Sequence, residues 1–478
     1  MPRRTKILAT LGPATDDPSV LSGMIAAGLD VVRLNFSHGQ AEEMRRRVSV
    51  VREIAAQQGR YIGVLADLQG PKIRIASFRD GPVDLVSGHD FCIDTALGEH
   101  DGDKHCVGCA YDTLHTDVAV GNRLLLNDGL ISLLVKAIDG TRIKTEIEIG
   151  GTLSDHKGIN LQGGGLSAPA LTDKDRDDIK LAANLNVDYL AVSFVQQADD
   201  VNEARRLLRE AGGSGMIVAK IERSDAVENI DAIVAATDVI MVARGDLGVE
   251  VGYAELTGLQ KRLIRRTRRA NKIVITATQM MESMIHSAIP TRAEVSDVAN
   301  AVIDGTDAVM LSAETAVGDH PVKVIHAMSS VCVGAEKFHS DHRRTNHRLD
   351  DMFELIDEAI ATAVMYTANH MDVKAIIALT ESGSTPLWMS RIRSDIPIFA
   401  FTRHEATRRR VTLYRGVYPV SFDITHADSS LLYTEVFQRL LDLDHVEEGD
   451  LVIFSKGDMK GITGGTNAMK ILRVAREV

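Results

Sequence analysis

The stretch Met216–Asp246, MIVAKIERSDAVENIDAIVAATDVIMVARGD, limits what this chain can fold into more than any other. Its ends, Met216–Ala219 and Val239–Ala243, are short apolar runs rich in β-branched residues, as in strands buried on both faces of a parallel sheet. Between them Ile221, Val227, Ile230, Ile233 and Val234 recur at helical spacing, which predicts a strand–helix–strand crossover. The ends of the strands carry charge: Lys220 and Glu222 close the first, Arg244 and Asp246 the second. In parallel α/β folds ligands bind at the carboxyl ends of strands. Two carboxylates and a lysine placed there suit a hard divalent cation beside an anionic, phosphate-bearing substrate.

The same rhythm continues on both flanks. Thr5–Leu11, Asp30–Asn35 and Tyr61–Ala66 read as strands, with a charged helix over Ala41–Gln58 before the third. Phe36-Ser37-His38-Gly39 follows the second strand, and Asp67 with LQGPKIR follows the third. From Gln69 to Ala168 helical periodicity vanishes. Short alternating segments such as VDLV, DFCI, RLLL and RIKTEIEI, punctuated by DG, GN and GG turns, predict an all-β insertion. Thr172 then reads as a helix N-cap, and strands follow at Tyr189–Phe194, Met216–Ala219, Val239–Ala243, Ile273–Thr276 and Ala308–Leu311.

About eight parallel strands, nearly all followed by polar residues, predict an α/β fold: a (β/α)8 TIM barrel interrupted after strand 3. An open doubly wound sheet is the alternative, but it gathers its polar residues at one switch point. A further helix over Phe353–His370 and strands at Ala375–Leu379, Ile398–Phe401, Val417–Val420 and Leu451–Phe454 predict a C-terminal α/β domain. His339–Arg348 reads as the linker before it. The expected division is therefore barrel over 1–68 and 169–345, insertion over 69–168 and C-terminal domain over 346–478.

A formal net charge of −12 argues against nucleic acid or a membrane surface as the main partner. No apolar run reaches the roughly 18 residues of a membrane span, and four cysteines in so long a chain suit a reducing, cytoplasmic setting. Cys106-x-x-Cys109, beside His105 but without a second pair, reads as an unremarkable thiol pair rather than a zinc or redox site.

Collected at the strand ends are Arg33, Asn35, Ser37 and His38; Asp67 and Arg74; Lys220 and Glu222; Arg244 and Asp246; Thr278 and Gln279; Ser312 and Glu314. Any one alone reads as a solvated loop residue. Together, cations, carboxylates and hydroxyls on one face suit metal-assisted phosphate chemistry. Met280, Met281 and Met284 read as core packing.

These segments resemble the pyruvate kinase family. TKILATLGPA and RLNFSHG resemble its first two strands, and IVAKIE, ARGDLGVE, ATQMMESM and LSAETAVG its barrel strands five to eight. The insertion and C-terminal domain also match, so the resemblance covers essentially the whole chain. It implies phosphoryl transfer from phosphoenolpyruvate to ADP, giving pyruvate and ATP, with the insertion acting as a mobile lid. Glu222 and Asp246 would hold Mg2+ or Mn2+, Lys220 would neutralise the transferring phosphoryl group and the enolate, and Arg33 would clamp the phosphate. The Gly245 and Asp246 amides would receive the substrate carboxylate if they open a helix. Thr278 would position a water or proton relay that includes Ser312 and Glu314. Asn35, His38, Arg74 and Lys157 match nucleotide contacts. Arg244 reads as a buttress of Glu222 or Asp246, and Glu314 as either relay or scaffold. Metal-binding pyruvate-enolate lyases on similar barrels are a second class, but they lack the insertion and the C-terminal domain.

Two departures from the family matter. Where many members carry TKGPEIR and need K+, this chain has LQGPKIR, with Lys72 in place of the glutamate. Asn35, Ser37 and Asp67, the potential K+ ligands, are present, yet a lysine ammonium nearby can supply the cation's charge, so K+ independence is expected unless Lys72 points to solvent. In the C-terminal domain, Thr380-Glu381-Ser382-Gly383-Ser384-Thr385 resembles the family's effector phosphate loop. The last loop, SKGDMKGITGGTN, lacks the tryptophan and arginine that accompany fructose 1,6-bisphosphate in animal members, so a monophosphate such as AMP or a sugar monophosphate is the expected effector. A homotetramer is the assembly the resemblance implies.

Overall fold

Eight short strands whose residues alternate between two apolar environments close into a parallel barrel. They are β1 (Lys6–Thr10), β2 (Val31–Asn35), β3 (Gly63–Asp67), β4 (Tyr189–Val192), β5 (Met216–Ile221), β6 (Val239–Ala243), β7 (Ile273–Ala277) and β8 (Ala308–Leu311). Neighbours in sequence are neighbours in the barrel, and β8 closes on β1 through Lys6 opposite Ala308. The computed structural model describes residues 2–341, 352–423, 431–458 and 464–475.

Alternation decides which side chains reach the barrel axis. Ile7, Ala9, Val64, Ala66, Ile217 and Ala219 point outward into the core shared with the surrounding helices. Leu8, Val31, Leu65, Ala191, Val218, Met241, Ile275 and Met310 point inward. That inner core continues below the barrel into the C-terminal domain, where Ile376, Ile398 and Tyr414 belong to the same buried cluster.

The insertion leaves after β3 and returns before β4. Its main sheet has six strands in the order Ile159–Leu161, Arg123–Leu126, Ile131–Asp139, Arg142–Ile149, Asp90–Asp94 and Cys106–Gly108; Val83–Leu85 and Gly151–Leu153 form a separate pair. The returning chain starts the helix Asp173–Asn184, capped as expected: the Thr172 hydroxyl accepts from the Asp175 amide and Asp175 accepts from the Thr172 amide.

The C-terminal domain has β9 (Ala375–Leu379), β10 (Ile398–Thr402), β11 (Val417–Ser421), β12 (Leu451–Lys456) and β13 (Ala468–Arg473), in the order β11-β10-β9-β12-β13. The sequence reading finds the first four and misses β13. This antiparallel edge strand alternates little and none of its residues is buried, so it lacks the apolar signal of its neighbours. The first helix of the domain starts at Ile356 rather than Phe353, with Met352 and Phe353 exposed ahead of it. The expected linker is corrected at its start, because the helix Pro321–Asp341 runs into it; the remainder, and the 345/346 boundary, lie outside the described residues. Among the described residues, no helix is long and apolar enough to cross a membrane.

Candidate active site

The inward parity of each strand carries through to its end. Two residues beyond Val218 stands Lys220, then Glu222; two beyond Leu65 stands Asp67; two and four beyond Val31 stand Arg33 and Asn35; two beyond Ala191 stands Ser193. Register sets Asn35 opposite Asp67, Ala191 opposite Asp67 and Val192 opposite Ala219, so these side chains meet at the barrel mouth.

Lys220 is the centre of that meeting. Its Nζ lies 3.0 Å from Glu222 Oε1 and 3.2 Å from Asp67 Oδ1, and donates to Ser193 Oγ at 2.7 Å. Asp67 is fully buried and also accepts from Arg33 Nε at 2.6 Å, while Arg33 Nη1 donates to Thr10 Oγ1 at 3.0 Å. Burial works against the charge on Lys220, yet Asp67 and Glu222 hold its pKa above the ordinary lysine value. Burial also works against ionised Asp67, but Lys220 and Arg33 prevail and its pKa is lowered.

Glu222 is less well provided. Its Oε2 accepts from the Phe194 amide at 2.9 Å, but burial, and beyond it the negative charge of Asp246, raise its pKa despite Lys220. Two neighbouring carboxylates, one short of positive charge, make the donor set a divalent cation would neutralise, so these residues fit such an ion. Among the described residues no group of three or more His, Cys, Asp or Glu is arranged as a metal cage.

Lys72 enters this pair from the insertion side. Its Nζ donates to Asp246 Oδ1 at 3.0 Å and lies 3.8 Å from Asp128, so it faces the site rather than solvent. It pairs with Asp246, not with Asn35, Ser37 or Asp67. A Cβ added at Gly158 would come within 3.0 Å of Lys72 Cε, so the side chain lies across a glycine of the insertion.

The loops after β6 and β7 complete the mouth. Gly245 and Asp246 sit in the first turn of the helix Arg244–Val251, the condition on which the sequence reading made their amides a carboxylate site, and the Gly245 amide donates to Thr278 Oγ1 at 2.9 Å. Thr278 and Gln279 have φ of +65° and +53°, a left-handed conformation that costs a β-branched residue about 1–3 kcal/mol. Arg244 holds that turn: its Nη2 donates to the carbonyls of Thr278 at 2.7 Å and Gln279 at 3.0 Å, and its Nη1 to Asp297 at 2.6 Å. The expectation that Arg244 buttresses Glu222 or Asp246 is corrected. Its partner carboxylate is Asp297, and what it fixes is the strained turn presenting Thr278. Glu314 is buried and accepts from the Ser312 amide at 2.6 Å and the Met281 amide at 3.2 Å, tying the β7 and β8 loops together.

The residues expected to contact nucleotide lie at or just after the end of β2 and at the root of the insertion. The Ser37 amide donates to Asn35 Oδ1 at 3.2 Å, and His38 is exposed. Arg74 and Lys157 lie side by side at the insertion's root, where Arg74 bridges Gly158, Arg74 Nη1 donates to the His156 carbonyl at 2.8 Å and the Ile75 amide to the Lys157 carbonyl at 2.9 Å. Far below, Thr380, Ser382, Gly383, Ser384 and Thr385 follow β9 and open the helix Ser384–Arg391, with Gly383 at φ +87°. Residues 459–463 of the last loop lie outside the described residues.

Comparison with known proteins decides the family. Residues 2–325 match the pyruvate kinase barrel domain and residues 358–472 its alpha/beta domain. The chain belongs to the pyruvate kinase family. It is 54% identical over 476 residues to pyruvate kinase II of Salmonella typhimurium, covering 99% of both chains. It is 51% identical over 462 residues to the pyruvate kinase of Haemophilus influenzae, covering 95% of this chain and 96% of the other. A crystal structure of a pyruvate kinase from Cryptosporidium parvum superposes with a TM-score of 0.91 at 35% identity, over 99% of this chain and 96% of that one. The activity is that of a pyruvate kinase: phosphoryl transfer from phosphoenolpyruvate to ADP, a step for which the family uses a divalent metal.

For this pyruvate kinase the sequence reading misses two residues at the mouth. Ser193 follows β4 within an apolar run and gives no charge signal, although its inward parity is readable. Asp297 belongs to the helix Arg292–Asp304, and nothing in its local sequence announces Arg244 as its partner.

Proposed function

We propose that the barrel mouth catalyses this transfer with Glu222 and Asp246 holding Mg2+ or Mn2+. The convergence of Lys220 on Asp67, Glu222 and Ser193 carries the proposal. When bound, the ion supplies Lewis-acid neutralisation of the substrate's carboxylate and phosphate. Lys220, kept cationic by two carboxylates, offsets the charge on the transferring phosphoryl group and the enolate that remains. Arg33, fixed by Asp67 and Thr10, clamps the phosphate. The Gly245 and Asp246 amides receive the substrate carboxylate at a helix N-terminus, which frees Thr278 from Gly245. Thr278, with Ser312, then orients the water that protonates the enolate, and Glu314 serves as scaffold, both its oxygens being occupied by amides. Asn35, His38, Arg74 and Lys157 contact the nucleotide, and the insertion closes as a lid that excludes water.

K+ is not required. Support comes from the Lys72 ammonium, which stands 3.0 Å from Asp246 and so brings to the mouth a fixed positive charge of its own in place of the monovalent cation's. Activity in K+-free buffer with Mg2+ is expected to be unchanged by added K+, whereas Lys72→Glu is expected to acquire K+ dependence. Strong K+ activation of the unaltered enzyme would overturn this.

The C-terminal domain binds a phosphate monoester, such as AMP or a sugar monophosphate, at Thr380, Ser382, Gly383, Ser384 and Thr385. The loop lies at the carboxyl end of a parallel strand and opens a helix without a side-chain cap. Each such ligand is expected to shift the half-saturation for phosphoenolpyruvate, and Ser384→Asp to abolish the shift; kinetics indifferent to all of them would sink the idea. A cytoplasmic homotetramer, as family membership suggests, would carry the effect between subunits.

A further inference from the structure

A cavity of about 230 Å3 lies where the helix Glu405–Arg410 of the C-terminal domain packs beneath the barrel, lined in part by Arg52, Asp188, Ser214, Glu405, Arg409 and Arg410. Three guanidinium groups meet there, and one of them takes both carboxylates: Arg409 donates to Asp188 at 3.1 Å and to Glu405 at 2.5 Å. Arg52 donates to the main-chain carbonyls of Leu185 at 2.8 Å and Asn186 at 2.9 Å, and Arg410 reaches the Ser214 carbonyl at a long 3.3 Å. The Nε atoms of Arg52 and Arg410 are both buried without a hydrogen-bond partner. Buried donors left unmet are unfavourable, as are cations without a counter-charge. Three cations against two carboxylates leave the lining with one positive charge in excess.

We infer that this cavity binds a small oxyanion of the phosphate class between Arg52 and Arg410. Its volume is below the roughly 300 Å3 at which pockets for whole organic ligands begin. The occupant is therefore inorganic phosphate or the phosphate end of a monoester, and the planar donors of arginine suit either. The site is distinct from the loop after β9, but one short helix bears on both. Thr407 donates to the Glu381 carbonyl at 2.7 Å, and His404 bonds the Glu381 carboxylate. Arg409 holds Asp188, which accepts from the Val64 amide of β3 at 2.9 Å, in the strand that ends at Asp67. Occupancy thus bears on the effector loop and on the root of a catalytic strand.

The test is calorimetric titration of the full-length enzyme with inorganic phosphate. Four variants are compared with the unaltered enzyme: Arg52→Gln, Arg410→Gln, Arg52→Lys and Ser384→Asp. Phosphate bound elsewhere is common to the two Arg→Gln proteins and the unaltered one, so the difference isolates this site. Each Arg→Gln change is expected to weaken one phosphate by about tenfold or more. Arg52→Lys should retain most of it, and Ser384→Asp all of it. A sugar monophosphate that competes for this site and binds it more tightly than phosphate identifies the monoester as occupant; weaker binding identifies the free ion. Isotherms of both Arg→Gln variants that match the unaltered enzyme's, loss with Ser384→Asp alone, or equal competition by chloride at matched ionic strength would each overturn the inference. Arg52→Lys guards against a folding artefact, because it preserves the charge.

Discussion

Lys220→Met is expected to lower kcat for pyruvate formation by about 1,000-fold or more, the scale on which positioned cations act in phosphoryl transfer. The same change strands two carboxylates. Glu222 loses its ion pair, and Asp67, fully buried, keeps Arg33 as its ion-pair partner beside a long hydrogen bond from Ser193. Removing one partner from a buried pair costs about 3–5 kcal/mol, and the remaining arginine places this case at the lower end. The pH dependence has a definite sign. Asp67 titrates below its ordinary value in the folded chain, so the stability it contributes is present above the usual carboxylate range and lost as pH falls through the depressed value. Without Lys220 that depression shrinks, so acid unfolding should begin at higher pH. Melting temperature across an acid series, read beside kcat, checks both effects. Near-normal turnover would remove Lys220 from the chemistry, and an unchanged acid limb would remove Asp67 from its partnership.

The second large effect lies at the base of the barrel. Arg391, the last residue of the helix Ser384–Arg391, has a side chain 1% exposed and pairs with Asp307, 2% exposed, just before β8. Arg391 Nη1 donates to Asp307 Oδ2 at 2.9 Å and to the Lys272 carbonyl at 2.6 Å, and Asp307 Oδ2 also accepts from the Val274 amide at 2.9 Å. One buried pair thus joins the C-terminal domain to β7 and β8. Arg391→Met leaves Asp307 uncompensated and is expected to destabilise by about 3–5 kcal/mol. Arg391→Met combined with Asp307→Leu should recover part of that loss, because no charge is then left stranded. Denaturant midpoints of the two single variants and the double variant measure this directly. Additive losses would mean that the pair carries no coupling.

What the sequence discloses follows from the length scale of each signal. Strand period and strand-end charge are local, so Arg33, Asp67, Lys220, Glu222 and Asp246 stand out; parity aims the first four at one mouth, and Asp246 stands in the first turn of the helix after β6. The Thr172 cap is equally local. Partners far apart in the chain are not. Lys72 reads as a stand-in for K+ beside Asn35, Ser37 and Asp67, but it pairs with Asp246, because the root of the insertion brings residue 72 across Gly158. Arg244 reads as a support for the metal carboxylates, but its guanidinium is consumed by Asp297 and the turn at Thr278. Ser193 carries no charge and looks like strand packing until Lys220 is seen beside it. The arginine-lined cavity is assembled from Arg52, Ser214 and Arg410, which lie on three separate segments, and no window on the sequence contains it.

The most direct test of the barrel-mouth assignment is Mn2+ binding to the enzyme, followed by water-proton relaxation without substrate. Glu222→Gln and Asp246→Asn are each expected to weaken Mn2+ by about tenfold or more, since each removes a charged ligand. Asp225→Asn, which neutralises a carboxylate paired with Arg223, should leave it unchanged. Loss in the first two variants alone fixes the metal between Glu222 and Asp246. Unaltered affinity in both would contradict the assignment and move the centre of the chemistry elsewhere.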